Sequence, residues 1–92
     1  MGLEIVELVM DVEQAYGIKI PDDAISELYT LGDFHNLIAR LVQDQQPELA
    51  AKSAFKDQLW PTIAHFATRN GYNSKPDSVT RDSRFIEDLG YG

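Results

Sequence analysis

The chain opens with apolar residues at helical spacing between Leu3 and Tyr16. One stripe is broad enough to enter a core and consists of Ile5, Leu8, Val9, Val12 and Tyr16. A second stripe, formed by Leu3, Val6 and Met10, is more than one buried face needs, so we expect one of the two to be exposed. Gly17 then predicts the end of the helix, because glycine readily adopts the left-handed conformation of a helix C-terminus.

Two further helical segments are predicted before residue 43. Ile18 and Ile20 alternate inward in a loop, and 22–28 opens with acidic residues that favour a helix of about two turns. Thr30 and Asp33 are spaced as in a capping box. They precede one apolar helical stripe, which consists of Phe34, Leu37, Ile38, Leu41 and Val42.

A polar segment, residues 43–52, separates 1–42 from 53–92 and is the best linker candidate within a single domain, 1–92. Beyond it, a helical stripe consists of Phe55, Leu59, Ile63, Phe66 and Ala67, and the helix should end near Asn70. Pro61 predicts a break or kink near Trp60. Residues 72–90 predict a long ordered loop with a turn of helix, anchored by Val79, Phe85, Ile86 and Leu89.

The composition narrows the classes of function. The 92 residues are 43% hydrophobic, which fits one small domain, and their net charge of −7 favours basic proteins over nucleic acid as partners. The chain has no cysteine, which excludes disulfides, thiolate zinc sites and cysteine nucleophiles. No apolar run is long enough to span a membrane and no signal peptide is recognisable, so we expect a cytoplasmic protein without a membrane partner.

Candidate chemistry is sparse. His35 and His65 lie on different predicted helices, without the spacing of a metal or catalytic pair. The acidic pairs 22–23 and 87–88 are weak signals for a divalent cation, and helix capping explains the first pair equally well. No phosphate-binding glycine loop and no nucleophile–base motif is present. We therefore expect neither an enzyme nor a metal site.

Two stretches resemble acyl carrier proteins. "LEIVELVMDVEQAYGIKIPDD", followed by "LYTLGDFHNLIARLV", is similar to helices two to four of that family, including the "IPD" after helix two and the T-x-G-D entry to helix four. "KPDSVTRDSRFIEDLGYG" resembles the family's long loop after helix one, which runs into "DLG" just before the modified serine. The resemblance implies an all-α, small four-helix bundle in circularly permuted order, with helices two to four first and helix one and the long loop last.

The family's fold permits this order, because it places the end of helix four and the start of helix one on the same side of the bundle. Residues 43–52 reach roughly 30 Å when extended, which is enough to join them. The same linker could instead send the C-terminal half to a second chain in a domain-swapped homodimer. A natural permutation, an engineered one and a piece cut across two tandem carriers all remain open.

The resemblance also implies where the family's cofactor would be attached. Carriers hold acyl groups as thioesters on a phosphopantetheine arm, which is linked to one serine at the N-terminus of helix two. That position falls on Gly2, which has no hydroxyl, and the preceding aspartate falls on Gly92 or Met1. No cofactor is therefore expected on this chain. Ser83 follows an aspartate but precedes an arginine, which favours a turn or cap role.

Helix two is also the surface to which the family's acyl-transferring and acyl-modifying enzymes present basic patches. Here each residue of the surplus apolar stripe is followed directly by an acidic residue. The predicted docking face consists of Leu3, Glu4, Val6, Glu7, Met10 and Asp11. In the simpler alternative the acids are a solvated helix face, and the apolar residues pack against the long loop.

The sequence thus predicts an acyl carrier protein-like module of fatty acid or polyketide metabolism that is not phosphopantetheinylated in this form. In working members the acyl chain can lie between the helices. The corresponding lining would be Ile5, Val9, Phe34, Ile38 and Phe66. The alternative function is a protein-interaction adaptor that lacks the serine and mimics a carrier's docking face.

Overall fold

Helices make up most of the computed structural model, which describes residues 3–70 and 76–91. The helices are α1 (Leu3–Tyr16), α2 (Asp22–Ile25), α3 (Leu31–Gln45), α4 (Pro47–Ala50) and α5 (Ser53–Asn70), followed by a 3₁₀ turn at Pro76–Ser78. The described ranges hold no β-strand, only an isolated antiparallel bridge between Thr30 and Arg84. The prediction of an all-α bundle is therefore confirmed.

The first helix has the predicted bounds and the predicted buried face. Four residues of α1 are buried: Ile5, Leu8, Val9 and Val12. Gly17 ends the helix with φ = 64°, and the N–H groups of Gly17 and Ile18 both donate to the carbonyl oxygen of Glu13, at 2.9 and 3.3 Å. The left-handed glycine terminates α1 as the sequence predicts.

The second helix is shorter than predicted, because it ends at Ile25 rather than near Leu28. The Leu28 N–H donates to the Ile25 carbonyl, and the next residue, Tyr29, leaves the turn. Its carbonyl oxygen accepts the N–H of Phe85 at 3.2 Å. Pairing with the C-terminal segment therefore opposes further helix at this point.

The start of α3 is held by its own cap and by the C-terminal segment. Thr30 Oγ1 accepts the N–H of Asp33 at 3.1 Å, and Asp33 Oδ2 accepts the N–H of Thr30 at 3.2 Å, which completes the predicted capping box. The Gly32 N–H donates to the carbonyl oxygen of Arg81 at 2.9 Å. A Cβ at position 32 would lie 2.8 Å from that oxygen, so this close approach requires glycine.

Residues 43–52, the predicted linker, are mostly helical. The first three complete α3, and Pro47 occupies the first turn of α4, where its missing N–H costs no helical hydrogen bond. Gln45 exchanges two hydrogen bonds of 2.8 Å with the backbone of Lys19, and Gln46 Nε2 donates to the carbonyl oxygen of Gly17 at 3.1 Å. The segment is thus fastened to the turn after α1.

The last long helix, α5, packs against α1 and α3 and runs without interruption through Pro61. The predicted break near Trp60 is therefore wrong. A proline removes one backbone donor, but Leu59 and Ile63 are buried on either side of it. Their burial keeps both halves of the helix against the core.

The C-terminal segment closes the bundle with four buried residues: Val79, Phe85, Leu89 and Tyr91. The prediction of Ile86 as an anchor is wrong, since its side chain is exposed. The ring of Phe85 lies 6.3 Å from that of Phe34 and 5.5 Å from that of Tyr91. This aromatic row continues the core from α3 to the residues that end the described chain. No helix within the described ranges combines the length and apolarity needed to cross a membrane.

Candidate functional site

The surplus apolar stripe of α1 faces solvent. Leu3 is 76% exposed, and Val6 and Met10 are each 50% exposed, whereas the opposite face of the helix is buried. The alternative in which these residues pack against the long loop is therefore wrong. Because both stripes come from one continuous helix, the buried stripe fixes the direction in which the exposed stripe points.

The three acids of the predicted docking face have different surroundings. Glu7 is exposed, while Glu4 and Asp11 are half-buried. Asp11 Oδ2 lies 2.6 Å from Arg69 Nη2 on α5, and the Arg69 guanidinium carbon also lies 5.1 Å from the centre of the Phe66 ring. The acidic row is thus partly compensated by a cation of the same chain.

Tyr91 lies buried next to this acidic row. Its hydroxyl donates to the carbonyl oxygen of Ala67 at 2.7 Å, which ties the C-terminal segment to α5. Burial raises the pKa of Tyr91 well above its ordinary value, and the carboxylates of Glu4, Asp11 and Glu7 raise it further. These carboxylates would also repel a tyrosinate, so the phenol stays neutral beneath the charged face.

A cavity of about 230 Å³ opens between α1 and α2, smaller than most ligand pockets. Its lining consists of Ile5, Val6, Val9, Met10, Glu13, Ile20, Asp22 and Ile25. Only two of the residues predicted to line an acyl cavity are among them. Phe34 and Ile38 are fully buried in the core and Phe66 is half-buried near Arg69, so their place in an acyl-chain lining stays a prediction.

The sequence of this chain is similar to those of curated acyl carrier proteins. The meromycolate extension acyl carrier proteins of Mycolicibacterium aurum and Mycolicibacterium smegmatis are each 41% identical to this chain over 50 residues. Over these 50 residues the chain is similar to acyl carrier proteins. The Mycobacterium leprae protein of the same name is 40% identical over 49 residues.

These matches cover 54% of this chain and 50% of the first two relatives, so the chain spans about half the length of the curated carriers it matches. No family model matches, and no solved structure matches. The relatives are named as carriers and not as enzymes, in agreement with the prediction that this chain is not an enzyme.

The carrier family's attachment position cannot be placed in this fold, because Met1, Gly2 and Gly92 lie outside the described residues. Ser83, the other serine considered, lies in a turn. Its Oγ accepts the N–H of Thr80 at 2.9 Å, and its own N–H donates to the Thr80 carbonyl at 3.1 Å. Ser83 thus has the turn role that the sequence favours.

The two histidines lie on different helices, as predicted. The half-buried His35 ring lies 5.8 Å from the ring of Trp60, while His65 is exposed. Burial lowers the pKa of His35, a hydrogen bond that His35 Nδ1 donates to Asn36 Oδ1 opposes that shift, and the Arg81 guanidinium adds to it. In the part of the chain that the structure describes, no three histidine or acidic residues are grouped to hold a metal ion.

Sequence reasoning missed the ion pair between Arg69 and Asp11 and the electrostatic influence of the acidic face on Tyr91. Arg69 and Asp11 are 58 positions apart and lie on different helices. No helical period or motif connects such positions. The only signal in the sequence was the placement of Arg69 at the end of a helix, where a cation is favoured for local reasons.

Proposed function

We propose that this chain is an acyl-carrier-like module of fatty acid or polyketide metabolism that docks on partner enzymes through α1. The observation that carries the proposal is the exposure of Leu3, Val6 and Met10 beside acidic residues, on the helix that resembles the carriers' recognition helix. The relationship to named acyl carrier proteins supports the same function.

The chemistry of the face favours one kind of partner. Exposed apolar side chains gain free energy when a partner covers them, and a charged rim orients the encounter. The net charge of −7 attracts basic surfaces over a longer range, in a salt-dependent way. The expected partner is therefore a basic acyl-transferring or acyl-modifying enzyme with an apolar depression between its cations.

We also propose that the helices follow the carrier order in a circularly permuted form. A permuted chain can follow a conventional relative in line over only one of its two segments, which accounts for matches of half length. The position of Tyr91 beside the carboxylates of α1 supports the same proposal, since it brings the C-terminal segment next to the first helix. Domain swapping remains an alternative arrangement of the same segments, and size measurement in solution would distinguish them.

The docking proposal is tested with a broad-specificity phosphopantetheinyl transferase in the absence of coenzyme A. Glu7→Lys places a cation within the acidic row and should weaken binding on the order of ten-fold at low salt. Glu48→Lys makes the same charge change at an exposed position of α4, and should have a much smaller effect. Equal effects of the two changes would contradict docking through α1.

The chain as it stands is expected to remain unmodified, because Gly2 cannot form the phosphodiester. With coenzyme A and the same transferase, its intact mass should not change, whereas Gly2→Ser should gain one phosphopantetheine. An ordinary carrier protein modified in parallel shows that the enzyme is active. A mass gain by the parent chain would refute the proposal, and Ser83→Ala would then test the first suspected site. An unmodified Gly2→Ser variant would contradict the permuted alignment.

The second candidate function is an adaptor that occupies carrier-binding surfaces without carrying an acyl group. It is favoured by the absence of a hydroxyl at Gly2 together with the exposed face of α1. Under this proposal the unmodified chain competes with an ordinary carrier for the transferase. Binding that requires restoration of the serine would exclude it.

A further inference from the structure

We propose that Arg69 determines the specificity of the α1 face by acting as an internal competitor, which a partner's cation must displace from Asp11. This inference rests on the proposed docking function. It assigns unequal roles to acids that the sequence presents as one row.

The competition follows from the geometry of the ion pair. The 2.6 Å contact between Arg69 Nη2 and Asp11 Oδ2 is a short, charge-assisted hydrogen bond. The Asp11 side chain is only 24% exposed, and Arg69, at 52%, covers it from the side of α5. A partner approaching α1 therefore meets a carboxylate whose charge is already compensated.

The Phe66 ring keeps the competitor in place. The Arg69 guanidinium lies 5.1 Å from the ring centre, within the range of a cation–π contact. Two contacts thus stabilise the same position of the guanidinium, and together they offset the conformational entropy that the Arg69 side chain loses there. Removing it would leave Asp11 with more negative potential toward solvent.

The consequence is selectivity among basic partners. A cation opposite the exposed Glu7 gains a new ion pair, whereas a cation opposite Asp11 only replaces an existing one. Arginine, with its planar fork, competes for a carboxylate better than lysine does. The face should therefore favour partners whose main cation faces Glu7, and should penalise those that depend on Asp11.

The test measures the Kd for the phosphopantetheinyl transferase, without coenzyme A, for the parent chain, Arg69→Gln, Asp11→Asn and the double variant. Arg69→Gln keeps a long side chain over Phe66 but removes the charge, and should tighten binding about two- to five-fold at low salt. Asp11→Asn should weaken binding more in the Arg69→Gln background than in the parent chain.

Arg84→Gln is the matched control, because it also removes one positive charge and one exposed ion pair, the pair with Glu87. It should tighten binding less than Arg69→Gln does. Equal tightening by both variants, or the same cost of Asp11→Asn in both backgrounds, would overturn the inference. Glu7→Lys distinguishes failure of the Arg69 inference from failure of the docking proposal. If Glu7→Lys leaves the Kd unchanged, the docking proposal itself is wrong.

A second comparison does not depend on the Arg69 variant. Circular dichroism shows whether Arg69→Gln is folded; if it is not, Asp11→Asn and Glu7→Gln are compared in the parent chain. Internal competition predicts the smaller loss of affinity for Asp11→Asn. An equal or larger loss than that of Glu7→Gln would overturn the inference.

Discussion

Alkaline pH should destabilise this fold through Tyr91. The phenol is 1% exposed, donates a hydrogen bond to Ala67 and lies near three carboxylates, so its pKa in the folded state is raised. In the unfolded chain the phenol ionises with a pKa of about 10. The favourable contribution is therefore complete below that pH, and it is lost as the pH rises above it, because only the unfolded state releases the proton.

The size of the effect follows from proton linkage. One proton bound only by the folded state lowers the free energy of unfolding by about 1.4 kcal/mol per pH unit above pH 10. Tyr91→Phe removes this term. It also removes the hydrogen bond to the Ala67 carbonyl, which costs about 1 kcal/mol at neutral pH. The parent chain should therefore be the more stable protein at neutral pH, and this advantage should vanish by about pH 11.

Urea unfolding measured from neutral pH to about pH 11, together with the absorbance of tyrosinate, tests this prediction. Tyr16→Phe is the matched control. Burial also raises the pKa of Tyr16, but a hydrogen bond from Thr62 opposes the shift. The difference in free energy of unfolding between the parent chain and Tyr16→Phe should therefore change less with pH than the difference between the parent chain and Tyr91→Phe. Parallel pH profiles for the parent chain and Tyr91→Phe would refute the reasoning, as would full titration of all tyrosines near pH 10 in the folded protein.

Three further predictions concern α3 and the loop that packs against its start. Burial and Arg81 lower the pKa of His35, so the unfolded chain takes up a proton first and the free energy of unfolding falls as the pH drops below about 6.5. In urea unfolding, the free energy of unfolding of His35→Gln should fall less steeply with decreasing pH than that of the parent chain. The same pH dependence in both proteins would contradict this prediction. Gly32→Ala, whose Cβ would approach the Arg81 carbonyl oxygen, should cost about 1–3 kcal/mol, and an unchanged melting temperature would mean that the loop yields freely. Thr30→Ala should cost about 1 kcal/mol, and much less in an Asp33→Asn background, because the two side chains form one cap.

Local features of the fold were predictable from the sequence. The bounds of α1 follow from an apolar period and from Gly17, and the start of α3 follows from Thr30 and Asp33. These signals act between residues at most a few positions apart, so a short stretch of sequence is enough to predict the start or end of a helix. The same holds for the exposed stripe, because α1 has more apolar residues than one buried face can accommodate.

Other features depend on contacts between distant segments. Pro61 predicts a break, yet burial of α5 on both sides keeps the helix continuous. The polar composition of 43–52 predicts a linker but does not show how it is fastened: Gln45 binds the backbone of Lys19, and α4 forms beside it. In both cases contacts between distant segments supply information that local preferences lack.

The sequence by itself therefore determined the helical class, the double stripe of α1, the similarity to carriers and the absence of a hydroxyl at Gly2. Only the tertiary structure decided which acid of the predicted docking face is compensated, because Arg69 reaches Asp11 from a helix that begins 42 positions later in the chain. It also decided that Tyr91, and not Ile86, completes the core beneath that face. Periodicity predicts which side of a helix is apolar, but the pairing of charges across helices depends on how the helices pack.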